Sequence, residues 1–303
     1  MWVVERIDEK GYYHLENLKT GETILKKGLN AHENDVLDEC FHVLPEENKK
    51  WMICSTLFYR GDYMLINIQK LSYAIGERQL YKNLNMIVED TDKIALVGVN
   101  GTGKSTLLKM IAHHDSPAIT YKKDLKIAYL SQNPVFRDNE TILNEAKHIL
   151  KEVPEYSIKS SLTRFGLEDM DQVISTLSGG QKKRLALAIV LLEECDLLIL
   201  DEPTNHLDTP MIEYLEKYLI KRSKGLLMVT HDRYFLERIT NKIYELDRGE
   251  IFPYVANYSH FLELKAEREN NALQAQRKRN LFLKKELEWV RAGVQARSTK
   301  SKD

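Results

Sequence analysis

Along "MLINIQKLSYAI", Met64 to Ile75, apolar and polar positions alternate, the period of a strand that buries one face. "NMIVEDTDKIALVGVNG" predicts another strand ending in a glycine-rich turn, and "KSTLLKMIAHH" then changes to the helical period. "KIAYLSQ", "CDLLILDEP", "GLLMVTHD" and "NKIYELDRG" are short apolar runs bounded by turn or charged residues, the pattern of buried strands. Helical segments alternate with them, so the pattern predicts an α/β domain with a largely parallel sheet. Upstream, "WVVERI", "GYYHLEN" and "ETILKKG" predict short strands around the turn-forming "KTGE". From about Asn257 the chain turns to Glu, Lys, Arg, Ala and Leu with no Pro and one Gly, Gly293, which predicts one long helix and a polar end. The expected organisation is a small β-rich segment (1–63), an α/β domain (64–256) and a basic helical arm (257–303).

Composition narrows the classes. With 303 residues and 43% apolar content the chain can bury a sizeable core. Its three cysteines, Cys40, Cys54 and Cys195, share neither metal-like nor disulfide-like spacing, which fits a reduced cytosolic compartment. The opening "MWVVERIDEK" is charged almost at once, unlike a secretory leader, and "LALAIVLLEECDLLILD" is interrupted by Glu193, Glu194 and Asp196, too often to cross a bilayer. A cytoplasmic protein without a membrane domain is expected. The net charge of −1 hides an asymmetry: from Arg277 to the end, nine basic residues stand against Glu286, Glu288 and Asp303. Residues 1–63 carry no chemical motif. "YRGDYM", Tyr59 to Met64, back-translates to a purine-rich ribosome-binding sequence, so Met64 reads as a start codon and the preceding segment as an upstream frame or fusion, or else as a small β-domain.

The chemistry begins at "GVNGTGKST". Gly98, Val99, Asn100, Gly101, Thr102, Gly103, Lys104, Ser105 and Thr106 match G-x-x-x-x-G-K-[ST] between a strand and a helix, the context that motif requires. Its glycines let backbone N–H groups turn in around β- and γ-phosphates, Lys104 adds a point charge, and the Ser105 hydroxyl reaches Mg²⁺. "LLILDEP" delivers two carboxylates to the end of an apolar strand, where open α/β sheets bind ligands. Asp201 is placed to hold hydrated Mg²⁺, and Glu202 to act as the base that polarises water. Gln132, after another strand, is a candidate Mg²⁺ and water ligand; His231, ending a further strand, is a candidate γ-phosphate contact.

These motifs, in this order, resemble the ATP-binding-cassette (ABC) ATPases: a P-loop cassette with a helical subdomain, binding ATP and Mg²⁺. The resemblance covers roughly residues 65–255. "DEPTNHLD" and "THDRYFL" look like the soluble ABC-F branch, and "NYSHFLELKAERE" with "FLKKELEWVRAGVQARS" is similar to the start of the linker in its Uup-like members. The resemblance implies that Gln132 is the Q-loop, His231 the switch histidine and Asp208 a D-loop residue facing a partner cassette. It also implies work on the ribosome, with its rRNA and tRNA; the alternatives are a DNA-associated Uup-like ATPase or the ATP-binding subunit of a transporter. Where the family stacks an aromatic on adenine this chain has Ile75, and Tyr73, on the same strand face, is the substitute expected.

"LSGGQ" (Leu177, Ser178, Gly179, Gly180, Gln181) opens a second helix suited to an anion. One phosphate cannot be wrapped by two loops of one rigid domain. By the resemblance, this signature closes over the ATP of another cassette. Each cassette then supplies half a site, and the partner is a missing C-terminal half or a second copy. The chain is therefore expected to be a fragment that turns ATP over slowly by itself.

Overall fold

The computed structural model describes residues 64–291, with side chains from 64 to 289. It also describes three strands upstream, β1 (Trp2–Ile7), β2 (Tyr12–Asn17) and β3 (Thr23–Lys27), paired antiparallel in that order. Those strands fall where "WVVERI", "GYYHLEN" and "ETILKKG" predict them. Cys40, Cys54, Tyr59 to Tyr63 and the polar end after Arg291 lie outside the described residues.

Two sheets enclose the first helix among the described residues. β4 (Met64–Ile75) and β5 (Arg78–Glu89) form a hairpin turning at Gly76, and the short β7 (Ile119–Tyr121) adds antiparallel to the other edge of β4. The second sheet holds β6 (Lys93–Val97), β8 (Ile127–Leu130), β9 (Leu197–Asp201), β10 (Gly225–Val229), β11 (Lys242–Asp247) and β12 (Glu250–Tyr254). Its order is β12-β11-β6-β10-β9-β8, parallel except for β12. The segment read as one strand before the glycine-rich turn is two, β5 and β6, belonging to different sheets.

Between their ends the central strands are continuous apolar runs because both faces are covered. Leu197, Ile199, Leu227 and Val229 pack with Leu107, Leu108 and Ile111 of α1 (Lys104–His113) and with the β4–β5 hairpin. Leu198, Leu200, Leu226 and Met228 face the other core, with Leu185 and Ile189 of α4 (Gly179–Val190) and with Ile142 of α2 (Ile142–Ile149) and Ile158 of α3 (Glu155–Arg164). Helices α2, α3 and α4 are the helical subdomain. α5 (Thr209–Lys221) and α6 (Arg233–Ile239) complete that layer.

The predicted long helix is α7 (Tyr258–Arg291), 34 residues, about 50 Å at 1.5 Å per residue. Its start is fastened: Glu237 of α6 accepts from Ser259 N at 2.7 Å and Asn257 Nδ2 at 2.8 Å, and Glu245 of β11 pairs with Lys265 (2.6 Å) and Arg268 (2.9 Å). Beyond that point Leu273, Leu281, Leu283, Leu287 and Trp289 are exposed. Among the described residues, no helix is long and apolar enough to cross a membrane.

Candidate functional site

Parallel register brings the chemical residues to one edge of the sheet. Met228 of β10 stands opposite Ala95 of β6, so the chain leaves these strands with Gly98 and His231 at one level. Val229 pairs with Asp201, and Leu130 with Leu200, which carries Glu202 and Gln132 to that same edge. One cleft of about 540 Å³ is lined by Asn100, Gly101, Gly103, Lys104, Ser105, Thr106, Gln132, Glu202 and His231, all predicted. Arg78, Ile75 and Leu80 line it too.

The loop holds its shape through contacts that cross from the hairpin. Tyr81 donates to the Gly103 carbonyl at 2.7 Å, and Arg78 Nη2 donates to the Gly101 carbonyl at 2.8 Å. Gly103 has φ +104, and a Cβ there would sit 2.9 Å from the Tyr81 hydroxyl. At Gly98 a Cβ would run into the Leu246 carbonyl. A side chain is excluded at both positions. Lys104 Nζ donates to the carbonyls of Gly98 (2.8 Å) and Val99 (3.2 Å). Val99 itself is exposed, and the Thr102 hydroxyl closes the loop on the Val99 carbonyl.

The charged groups are concentrated and buried. Ser105 Oγ lies 3.2 Å from Asp201 Oδ1, while Asp201 Oδ2 and Glu202 Oε2 are buried without a hydrogen-bond partner. His231 Nε2 is 3.3 Å from Glu202 Oε1. Burial pushes the Asp201 carboxyl above the ordinary aspartate value, against Ser105, Lys183 and Lys104. Burial does the same to Glu202, opposed by His231. Lys104 and Lys183 are both held below the ordinary lysine value by burial, with Asp201 and Glu202 opposing the shift. An orphaned carboxylate oxygen, only 1% of its residue exposed, beside a serine hydroxyl is a donor set that fits a hard cation.

Tyr73 stands in an adjoining cleft with Ser105, Thr106, Gln132 and Asp201, and its ring lies 6.1 Å from that of Tyr81. Ile75, 56% exposed, lines the cleft that holds Asn100, Gly101, Gly103 and Lys104. Leu177, Ser178, Gly179, Gly180 and Gln181 line neither cleft. Ser178 caps α4 as a capping box: its hydroxyl accepts from Gln181 N, and Gln181 Oε1 accepts from Ser178 N at 2.9 Å. Asp208 caps α5 through Met211 N at 3.0 Å. Sequence reasoning missed Arg78, Tyr81 and Lys183. Lys183 had a legible signal, a cation on the apolar face of α4.

Comparison with known proteins identifies relatives of the chain. Residues 81–205 match a family model described as "ABC transporter", and residues 244–303 match an extension model of the same description. The chain is 38% identical over 282 residues to the uncharacterized ABC transporter ATP-binding protein YfmR of Bacillus subtilis, covering 78% of this chain and 45% of that protein. It is 36% identical to the ATP-binding protein Uup of Buchnera aphidicola (78% and 42%). It is 34% identical to the energy-dependent translational throttle protein EttA of Escherichia coli (75% and 49%). The chain thus spans less than half the length of these relatives. A solved structure of an ATP-binding subunit of an ABC transporter, 22% identical, superposes with a TM-score of 0.56 over 63% of this chain and 90% of that one, a likeness of fold.

Proposed function

This chain belongs to the ABC ATPase family, with Uup and EttA of the ABC-F branch among its homologues, and from that premise we propose that it binds MgATP in the cleft under Gly98 to Thr106, hydrolyses it, and works as a switch whose output is closure of one cassette on another. The observation that carries the reading is the orphaned Asp201 Oδ2, buried at a strand end beside Ser105.

In this reading Ser105, Asp201 and Gln132 hold the metal. Bound there, Mg²⁺ supplies positive charge to the β- and γ-phosphates. Lys104 exchanges the Gly98 and Val99 carbonyls for phosphate oxygens, and the free N–H groups at the start of α1 complete the cradle. Glu202 takes the proton of the attacking water, helped by the raised basicity that burial gives it. His231 holds Glu202 and the water in line. The base of ATP lies along Ile75 and Arg78, with Tyr73 one cleft away.

Ser178, Gly179, Gly180 and Gln181 serve the ATP of a partner cassette, in the same protein or in a second copy, and Asp208 faces that partner. Loss of the γ-phosphate removes the contact made only in the closed state, so hydrolysis reopens it. Copies of this chain at high dilution therefore turn over slowly. Residues 64–256 form the working cassette and residues 257–303 the arm it moves, with residues 1–63 outside that cycle.

The whole protein is read as an ATP-switched factor on the ribosome. EttA, whose name describes a translational throttle, supports this, as does the basic arm with Arg277, Lys278 and Arg279, suited to RNA phosphates. With ATP, the whole protein carrying Glu202→Gln is expected to co-sediment with ribosomes, because it binds ATP and does not release it. If it sediments free and binds duplex DNA tightly instead, the translation reading is wrong.

A further inference from the structure

Two threonines at the sheet edge have no part in the cycle as described. Thr230 directly follows β10, is 6% exposed and directly precedes His231. Its hydroxyl oxygen accepts from Asp232 N at 3.2 Å, so the single residue His231 is spanned by a side-chain turn. Asp232 in turn caps α6 through Phe235 N at 3.1 Å. The same Thr230 hydroxyl lies 3.0 Å from the hydroxyl of Thr204, two residues after Glu202.

Thr204 belongs to the segment that leaves β9. Glu202 N donates to the Val229 carbonyl at 2.8 Å, which stitches that segment to the end of β10 one residue before Thr230. Glu202 has φ +52 and His206 φ +66, left-handed backbone at two non-glycine residues within one short turn. Backbone held there persists only where its surroundings enforce it. Leu207 N closes the turn on the Thr204 carbonyl at 3.3 Å, and the His206 ring lies where a Cβ on Gly180 would just touch it, at 3.4 Å. A continuous path therefore runs from Gly180 through His206 and Thr204 to Thr230, His231 and Glu202.

We propose that the Thr204–Thr230 hydroxyl pair is a positioning latch that sets the approach of His231 to Glu202 and ties it to the turn lying against the LSGGQ helix. The inference rests on the ATPase reading. Neither threonine lines the cleft that holds Lys104, Ser105 and Glu202. They act by fixing where the base and the histidine stand, so that movement of residues 205–208 on contact with a partner cassette reaches the reacting groups of the cleft.

The test is single-turnover hydrolysis by the full chain, held in excess over ATP at concentrations where two copies meet, with ATP affinity measured separately from a fluorescent analogue. Thr230→Val is expected to slow hydrolysis about 10- to 100-fold, as small misplacements of reacting groups do, while ATP affinity stays within about 2-fold. Thr230→Ser, which keeps the hydroxyl, is expected to restore the rate to within about 3-fold of wild type. Thr204→Val, at a part-buried position less exposed to a folding loss than Thr230, is expected to match Thr230→Val. The double variant is expected to be no slower than either single one, the signature of a shared interaction. Wild-type rates in either valine variant, equal losses of affinity and rate, or multiplying losses in the double variant overturn the latch and leave the ATPase reading standing. A wild-type chain that binds no ATP overturns both.

Discussion

Two helices in this molecule begin at glycine motifs, and they are finished in opposite ways. α1 starts at Gly103 with no side-chain cap, above a buried lysine held by the loop's own carbonyls and beside a carboxylate oxygen with no partner. α4 starts at Ser178 with both halves of a capping box made, and Gly179 meets nothing within 4 Å of where a Cβ would stand. The first end presents uncapped N–H groups and an unpartnered carboxylate oxygen side by side. The second is already satisfied, and it keeps bare backbone at a place another molecule can approach. Similar-looking glycines therefore do different work: conformational freedom and close packing in the loop, open access in the signature.

The largest expected break in this comparison is Lys104→Ala. It should weaken ATP binding about 100-fold, the loss of charged hydrogen bonds worth about 3 kcal/mol, in a fluorescent-nucleotide titration. Ser178→Arg, at the other motif, should leave that titration unchanged. Next is the same small change made twice. Gly103→Ala, at φ +104 and against the Tyr81 hydroxyl, should cost about 1–3 kcal/mol in denaturant unfolding. Gly179→Ala, in open space, should stay within about 1 kcal/mol of wild type or stabilise. The smallest concerns Glu202→Gln. Burial raises the folded-state pKa of Glu202, so its ionised form costs stability at every pH above that raised value. Without nucleotide, the variant should melt higher than wild type near pH 7.5. The gap should narrow as pH falls through the raised value and close below the ordinary glutamate range, where both states are protonated.

What could be read from the chain, and what could not, follows from the range of the interactions. Gly98 to Thr106 is a local motif, and Asp201 with Glu202 ends an apolar run whose length requires cover on both faces, so both could be read in place. The junction of β5 and β6 was hidden because its turn, Asp90 to Asp92, contains neither Gly nor Pro. β7 has three residues, too few to show a period. The braces from Arg78 and Tyr81 reach the loop from 23 and 22 residues away, and no spacing rule connects them to it. Tyr73 and Ile75 share one strand face by period, yet the hairpin's register shifts between Tyr73 and Ala74, and the two residues line different clefts.

The central claim is that the two glycine motifs serve different phosphates, and mixing two broken chains tests it most directly. In a Glu202→Gln background, Lys104→Ala copies and Ser178→Arg copies are each expected to stay apart when ATP is added, as read by analytical ultracentrifugation. Mixed in equal amounts, a hetero-pair joins an intact loop to an intact signature, and ATP-dependent pairing should return at about a quarter of the composite sites of the unbroken chain. Unbroken copies that pair with ATP, together with a mixture that stays as separate as its components, would contradict the account, because each motif would then be serving its own cassette.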